Sequence, residues 1–442
     1  MKTLKRTLAV LLTLLLVSSS LVCFAADSGE KQYHEYKTSV LLGDSLCSGF
    51  KDYDYIMTEF TYCEDSYAAY LAKDLGIEDY RPMACPGFRT IEMRTMLEDD
   101  YVSNDPYLFE AVPHHSAEEI LAKIPEYRQA IADADLITIQ IGGNDWGAYL
   151  GWVMEDFLED HPLPEEFEAE LREYLASVEI VDGTVVKTIV ELAQTFNAVD
   201  EFLEFMPKAI EYAFSNLHAN WPIIVEDIYE LNPDVTLVAV GMFNTTLSTP
   251  EGEPDNVAEP DELAVMVEQM IIDYGNMPMI QNQEKYGYIY VDTDGTIVET
   301  AHPTPAGHRH IADRILEALP DARFDLTDVK VSAPEYKAVE YMYVNGLIDG
   351  TANKTFNGNA SMTKADFSKL MTNMGATYIP SDSTKAVTLM EVKLAAFVTA
   401  EEKTIDDLFN LLKYFAQIFF TNDAFAPATR TQVATEFYSY IK

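Results

Sequence analysis

The 442-residue chain carries 73 Asp and Glu against 30 Lys and Arg, a formal net charge of −43 that repels phosphate backbones and excludes a nucleic-acid partner. Hydrophobic residues at 48% and aromatics at 12% exclude a disordered chain, and the length suits two or three domains.

Residues 1–26 read as a signal peptide. Lys2, Lys5 and Arg6 form a basic head, the apolar run that follows is too short to favour a spanning helix, and Ala25 and Ala26 offer small residues for cleavage. Val22 precedes Cys23 where a lipid-anchored leader needs a small residue, so ordinary secretion is the expectation. No later stretch reaches the roughly 18 apolar residues of a transmembrane segment. Once Cys23 is removed, Cys47, Cys63 and Cys85 are too few for a complete disulfide framework, and a single bridge among them stays open.

Residues 36–320 alternate short strands with longer helical stretches. The β-branched runs at 38–42, 134–141, 235–243 and 286–292 predict strands buried on both faces of a parallel sheet. Between them, Ser116 with Glu119 three residues on forms a capping-box pattern, which predicts one helix through "EEILAKIPEYRQAIADA". The alternation implies a three-layer α/β/α domain. A helical insertion at 150–230 exceeds an ordinary crossover. Its Phe202, Phe205, Met206, Ile210 and Phe214 recur at helical spacing, the pattern of a core stripe; a lid or cleft wall is the sharper alternative.

Four features follow the strands in order: Ser45 in "LLGDSLCSGF", Gly87 in "MACPGFRT", Asn144 in "IGGNDWG", and Glu299 with His302 in "ETAHPTPAGHRHIAD". The carboxyl ends of parallel strands line the ligand crevice of an open sheet. A serine hydroxyl attacks poorly until a neutral imidazole takes its proton, which assigns Ser45 as nucleophile and His302 as base. Glu299 would accept from the other ring nitrogen and fix the tautomer, with Asp292 and Asp294 as competitors for that role. The backbone N–H groups of Ser45 and Gly87 and the Asn144 amide would form the oxyanion hole.

In this order the motifs resemble the GDSL, or SGNH, hydrolase family: Gly43-Asp44-Ser45-Leu46 matches its nucleophile block, Gly87 its glycine block, Gly142 to Asp145 its asparagine block and His302-Pro303 its histidine block. The resemblance implies a flavodoxin-like hydrolase of ester bonds that forms an acyl-serine and needs no metal or other cofactor. The family usually has Asp three residues before the histidine, and Glu299 departs from that. A metal reading of Glu299, His302, His308 and His310 is disfavoured because positions two apart do not share a helix face. His308 and His310 read as packing or surface residues, and His114 and His115 as loop.

The α/β rhythm stops near residue 320, and residues 332–442 predict a small, mainly helical domain. Thr363, Thr388 and Thr429 each precede a helical run, with Asp366, Glu391 or Gln432 three residues later, so the same cap is written three times. With the "GLIDG" turn at 346–350, these units resemble S-layer homology (SLH) modules, which implies docking to a cell-wall polymer. The middle unit is short, and basic residues at helix starts are reduced to Lys364 and Arg430, with Leu389 breaking the pattern. The whole chain therefore predicts a secreted, wall-associated serine esterase acting on short acyl groups of carbohydrate or other small esters. A lipase or lysophospholipase is the enzymatic alternative, and an inactive wall-binding protein the non-enzymatic one.

Overall fold

The computed structural model describes residues 31–49, 63–98, 101–112, 116–152, 154–177, 183–247, 261–299, 302–374, 383–399 and 426–441. The signal peptide expected over 1–26 and the His114-His115 pair lie outside the described residues. Two compact units emerge, one of residues 35–319 and one of residues 1–34 with 320–442.

The first unit is built on strands β1 (Thr38–Gly43), β2 (Asp79–Pro82), β3 (Leu136–Gln140), β4 (Thr236–Val240) and β5 (Ile289–Val291). All pair in parallel, in the order β2-β1-β3-β4-β5. Four of these match the β-branched runs of the sequence. The "DYRP" of β2 does not, because it is a half-buried edge strand that needs no continuous apolar run.

The helices up to the fourth strand are α1 (Ser45–Ser48), α2 (Tyr67–Leu75), α3 (Thr90–Leu97), α4 (Ala117–Leu121), α5 (Ile124–Asp133), α6 (Gly143–Trp152), α7 (Met154–Asp160), α8 (Glu165–Ser177), α9 (Gly183–Thr195), α10 (Val199–Ala213) and α11 (Ser215–Leu231). Helices α12 (Glu262–Tyr286) and α13 (Pro305–Ala318) complete the unit. Helices α2 and α13 pack together, while α3, α5, α11 and α12 pack as a second group. Alternation along the strands serves both layers. Val40, Leu42, Ile137 and Ile139 join the core that holds Phe88, Met93 and Trp221, and Leu41 and Val240, pointing the other way, are fully buried too.

The single helix expected from Ser116 is two. Ser116 caps α4 with its Glu119 capping box as expected, but Pro125, which has no N–H to continue the ladder, falls in the first turn of a new helix, α5. In the insertion, Phe202, Phe205, Met206, Ile210 and Phe214 are all buried in the same core as the sheet, as a core stripe requires.

The second unit contains α14 (Tyr336–Val344), α15 (Lys364–Asn373), α16 (Leu389–Thr399) and α17 (Arg430–Ile441). All three threonine caps form. Thr363 Oγ1 accepts from the Asp366 N–H at 3.1 Å, Thr388 Oγ1 from Glu391 at 3.3 Å and Thr429 Oγ1 from Gln432 at 3.2 Å. The residues before the caps close on one another in a ring. Val387 N–H donates to Met362 O at 2.9 Å, Ala428 N–H to Val387 O at 2.8 Å, and Met362 N–H to Ala428 O at 2.9 Å. The short middle unit is thus an equal member of a three-membered arrangement. Met362, Val387 and Ala428 are buried together with Phe356, Phe367 and Phe437 in this unit's own core.

Candidate active site

Strand β1 runs out at Gly43, whose φ of 138° and close approach to β3 both exclude a side chain: a Cβ there would fall 2.0 Å from the Gln140 carbonyl oxygen. Asp44 then caps α1, its Oδ1 accepting the Leu46 N–H at 2.9 Å. Ser45 is therefore the first residue of the helix rather than its cap. Asp44 is fully buried, and its second oxygen has no partner among the described residues. Burial pushes its carboxyl up to about 7, the Leu46 hydrogen bond opposes the rise, and nearby Asp145 adds to it.

The edge strand continues past β2 along the end of β1, through Met83 N–H to Leu41 O at 2.8 Å and Cys85 N–H to Gly43 O at 2.9 Å. Phe88 N–H then returns to Cys85 O at 3.1 Å, closing a turn with Pro86 second and Gly87 third. Gly87 has φ 81°, the left-handed value a type II turn demands there. A Cβ on it would lie 2.0 Å from Ala111 O. Among the described residues, neither the Ser45 nor the Gly87 N–H has a hydrogen-bond acceptor.

Asn144 enters from the start of α6, and its Nδ2 donates to Phe88 O at 3.0 Å. One amide hydrogen is thereby committed and the other left to donate elsewhere. His302 comes from a two-residue antiparallel ladder, β6 (Val298–Glu299) with β7 (His302–Pro303), that the sequence did not announce. Its Nε2 lies 2.9 Å from Ser45 Oγ, across 257 residues of sequence. In the ladder the backbone of Glu299 stands directly opposite His302. Thr304, not His302, caps the helix that follows, α13. Of the competing acids, Asp292 accepts the Asp294 N–H at 2.9 Å, while the Asp294 carbonyl accepts from His310 Nε2 at 3.0 Å.

His308 is buried, its Nδ1 accepting the Tyr67 N–H at 3.3 Å. Among the described residues no group of three His, Cys, Asp or Glu side chains stands close enough to hold a metal ion. Cys47, Cys63 and Cys85 are buried and unbridged. Trp146, two residues beyond Asn144, stacks on Phe214 with ring centroids 5.9 Å apart and is buried. It also lines a narrow cavity between the insertion helices and α12, walled by apolar side chains such as Leu171, Ile189, Phe202 and Ile271.

Beside the site stand Asp145, which the sequence marks only as the end of the asparagine block with no role of its own, and Thr90, which it does not single out. Asp145 is 1% exposed, and its carboxylate accepts both the N–H and the hydroxyl of Thr90, at 2.9 and 2.6 Å. The available signal was an acid inside the apolar stretch "IGGNDWGAYLGW", since a buried carboxylate needs partners.

In the second unit, the expected recognition residues are engaged within the unit. Lys364 Nζ lies 2.5 Å from Glu391 Oε1, and Arg430 donates to the carbonyls of Phe356 and Asp349.

A five-stranded parallel sheet packed by helices, with Ser45 and His302 meeting just beyond the end of β1, defines a protein of the parallel α/β class. Residues 41–310 match the GDSL-like lipase/acylhydrolase family, and the chain belongs to it. Residues 325–368 match the S-layer homology domain. Among solved structures, an extracellular lipase from Streptomyces rimosus is 16% identical, with 64% of this chain and 99% of that one covered and a TM-score of 0.38. A phospholipase A1 from Streptomyces albidoflavus is 15% identical over 64% and 99%, with a TM-score of 0.36. A lipase from a goat rumen metagenome is 15% identical over 64% and 96%, with a TM-score of 0.33. No curated protein matches the chain. No helix among the described residues is long and apolar enough to cross a membrane.

Proposed function

We propose that the protein is an exported serine esterase held at the cell surface by its SLH-type unit. The observation that carries the reading is the 2.9 Å approach of His302 Nε2 to Ser45 Oγ. Ser45 Oγ attacks the ester carbonyl as its proton passes to His302 Nε2. The Ser45 and Gly87 N–H groups and the Asn144 amide hold the oxyanion. The carbon–oxygen bond to the alcohol then breaks as His302 returns the proton to it. Water then attacks the acyl-serine carbonyl as His302 takes its proton, the bond to Ser45 Oγ breaks, and His302 returns the proton to Ser45 Oγ as the acid leaves. Glu299 is assigned the orienting carboxylate because its backbone is the cross-strand partner of His302.

Short acyl groups on carbohydrate or other small esters are the assigned substrates. Trp146 offers no open face on which a sugar could stack, because it is buried and Phe214 stacks on it. A lipase is the second reading on the family match alone, since neither Ser45 nor His302 lines the apolar cavity beside Trp146. Residues 1–26 serve as the export signal, the α/β domain spans 36–320 and the wall-binding domain 332–442. The SLH match and the three capped segments support docking to a wall polymer.

The test is hydrolysis of p-nitrophenyl acetate, butyrate and octanoate, with fluorophosphonate labelling of Ser45 and co-sedimentation of the full chain with purified cell wall. Turnover falling with chain length supports the esterase, and a maximum at octanoate supports the lipase. An unlabelled Ser45 with no turnover on any ester defeats both.

A further inference from the structure

The two side donors of the proposed oxyanion hole sit on separate segments, Gly87 in the turn before α3 and Asn144 at the start of α6. Both N-terminal helix ends meet at one carboxylate. Asp145 directly follows Asn144, and its two oxygens take the Thr90 N–H at 2.9 Å and the Thr90 hydroxyl at 2.6 Å, three residues after Gly87. Asn144 itself reaches back to Phe88 O at 3.0 Å. From the insertion, Asn220 Nδ2 donates to Thr90 Oγ1 at 3.3 Å, and Arg94 Nη1 donates to Asn220 Oδ1 at 3.3 Å.

We propose that Asp145 and Thr90 form a clamp that fixes the spacing of the Gly87 and Asn144 donors, and that both are positioning residues for ester hydrolysis. The inference rests on the esterase reading above. A carboxylate here is costly. It is 1% exposed, with Asp44 and Glu92 nearby, and its carboxyl is pushed up to about 7, chiefly by burial, against the Thr90 hydrogen bonds and the Arg89 charge. An apolar pair would hold two helix starts together at lower cost. What an apolar pair cannot supply is direction: two short hydrogen bonds to one residue set both distance and angle. Oxyanion donors need that control, because a misplacement of about 1 Å costs roughly a hundredfold in rate.

The experiment uses the full chain and a p-nitrophenyl ester, comparing Asp145→Asn, Thr90→Val and Thr90→Ser for kcat, KM and the fluorophosphonate labelling rate, with circular dichroism to confirm folding. Asp145→Asn keeps one acceptor for the Thr90 N–H but replaces the other with an amide that must donate to Thr90 Oγ1 beside the Asn220 amide. The hydroxyl thus loses its acceptor and the short bond is reversed in a crowded position, whereas Thr90→Val deletes that hydroxyl at nearly constant shape. Both are expected to lower kcat and labelling by roughly ten- to a hundredfold with KM within about twofold, and Thr90→Ser to restore both. Folded variants with wild-type kcat overturn the clamp, as does a loss confined to KM. If Asp145→Asn does not fold, Thr90→Val decides alone, and wild-type kcat in it overturns the proposal. A wild type that neither turns over nor labels at Ser45 defeats the esterase reading, and the clamp's catalytic role with it.

Discussion

In the α/β unit, Ser45 meets His302 across 257 residues of sequence, whereas the helical unit repeats one local device three times. The first arrangement depends on individual side chains at unique positions. The second depends on a threonine, a partner three residues on, and main-chain bonds between neighbours. Single substitutions should therefore act sharply in one unit and softly in the other. All three tryptophans, Trp146, Trp152 and Trp221, lie within residues 35–319, so tryptophan fluorescence reports on the α/β unit alone.

The largest expected effect is Ser45→Ala, which should lower kcat on p-nitrophenyl acetate by roughly 10⁴-fold or more without moving the tryptophan-monitored unfolding midpoint appreciably. Gly87→Ala comes next. Its Cβ would have to enter the space of Ala111 O at a backbone angle alanine resists, so a kcat loss of roughly 10–100-fold and a destabilisation of about 1–3 kcal/mol are expected, read from kinetics and urea melts.

The third test uses pH. Asp44 and Asp145 both have carboxyls raised to about 7 by burial, so folding favours their protonated forms. Their stabilising contribution is complete below about pH 4, the unfolded value, and is lost as pH rises through about 7. Urea melts followed by tryptophan fluorescence should show lower stability at pH 8 than at pH 5. Asp44→Asn should flatten that difference and recover on the order of 1–3 kcal/mol at pH 8. An unchanged pH dependence in Asp44→Asn would remove Asp44 as its source. The smallest effect belongs to the other unit: Thr388→Ala should cost about 1 kcal/mol there and leave kcat on a soluble ester unchanged. Thermal melts by circular dichroism beside the esterase assay check both halves of that expectation.

How much was legible follows the same division. The strands β1, β3, β4 and β5 announced themselves because burial on both faces writes continuous apolar runs. The edge strand β2 and the two-residue ladder of β6 with β7 left no such trace, since half-buried or very short strands put little demand on composition. Ser45, Gly87, Asn144 and His302 were legible as motifs, and the structure brings Ser45 to His302 and Asn144 to the Gly87 turn. Thr90 and Asn220 were not legible, because a threonine at a helix start and an asparagine inside an insertion look ordinary until the fold joins them to Asp145. The caps were readable since each is complete within four residues, but the ring that joins them spans 66 residues from Met362 to Ala428 and is invisible locally.

That ring is made of main-chain atoms only. Val387, Ala428 and Met362 exchange N–H and carbonyl groups, which every residue except proline carries. Side-chain identity can therefore drift in two of the three units without loosening the closure, which accounts for a recognisable SLH signature over 325–368 alone. The same geometry makes the unit intolerant of shortening. Deleting residues 427–442 would open two of the three bonds at once and take Ala428, Val433 and Phe437 out of the core they share with Phe356 and Met362, so that loss threatens the whole module rather than a third of it.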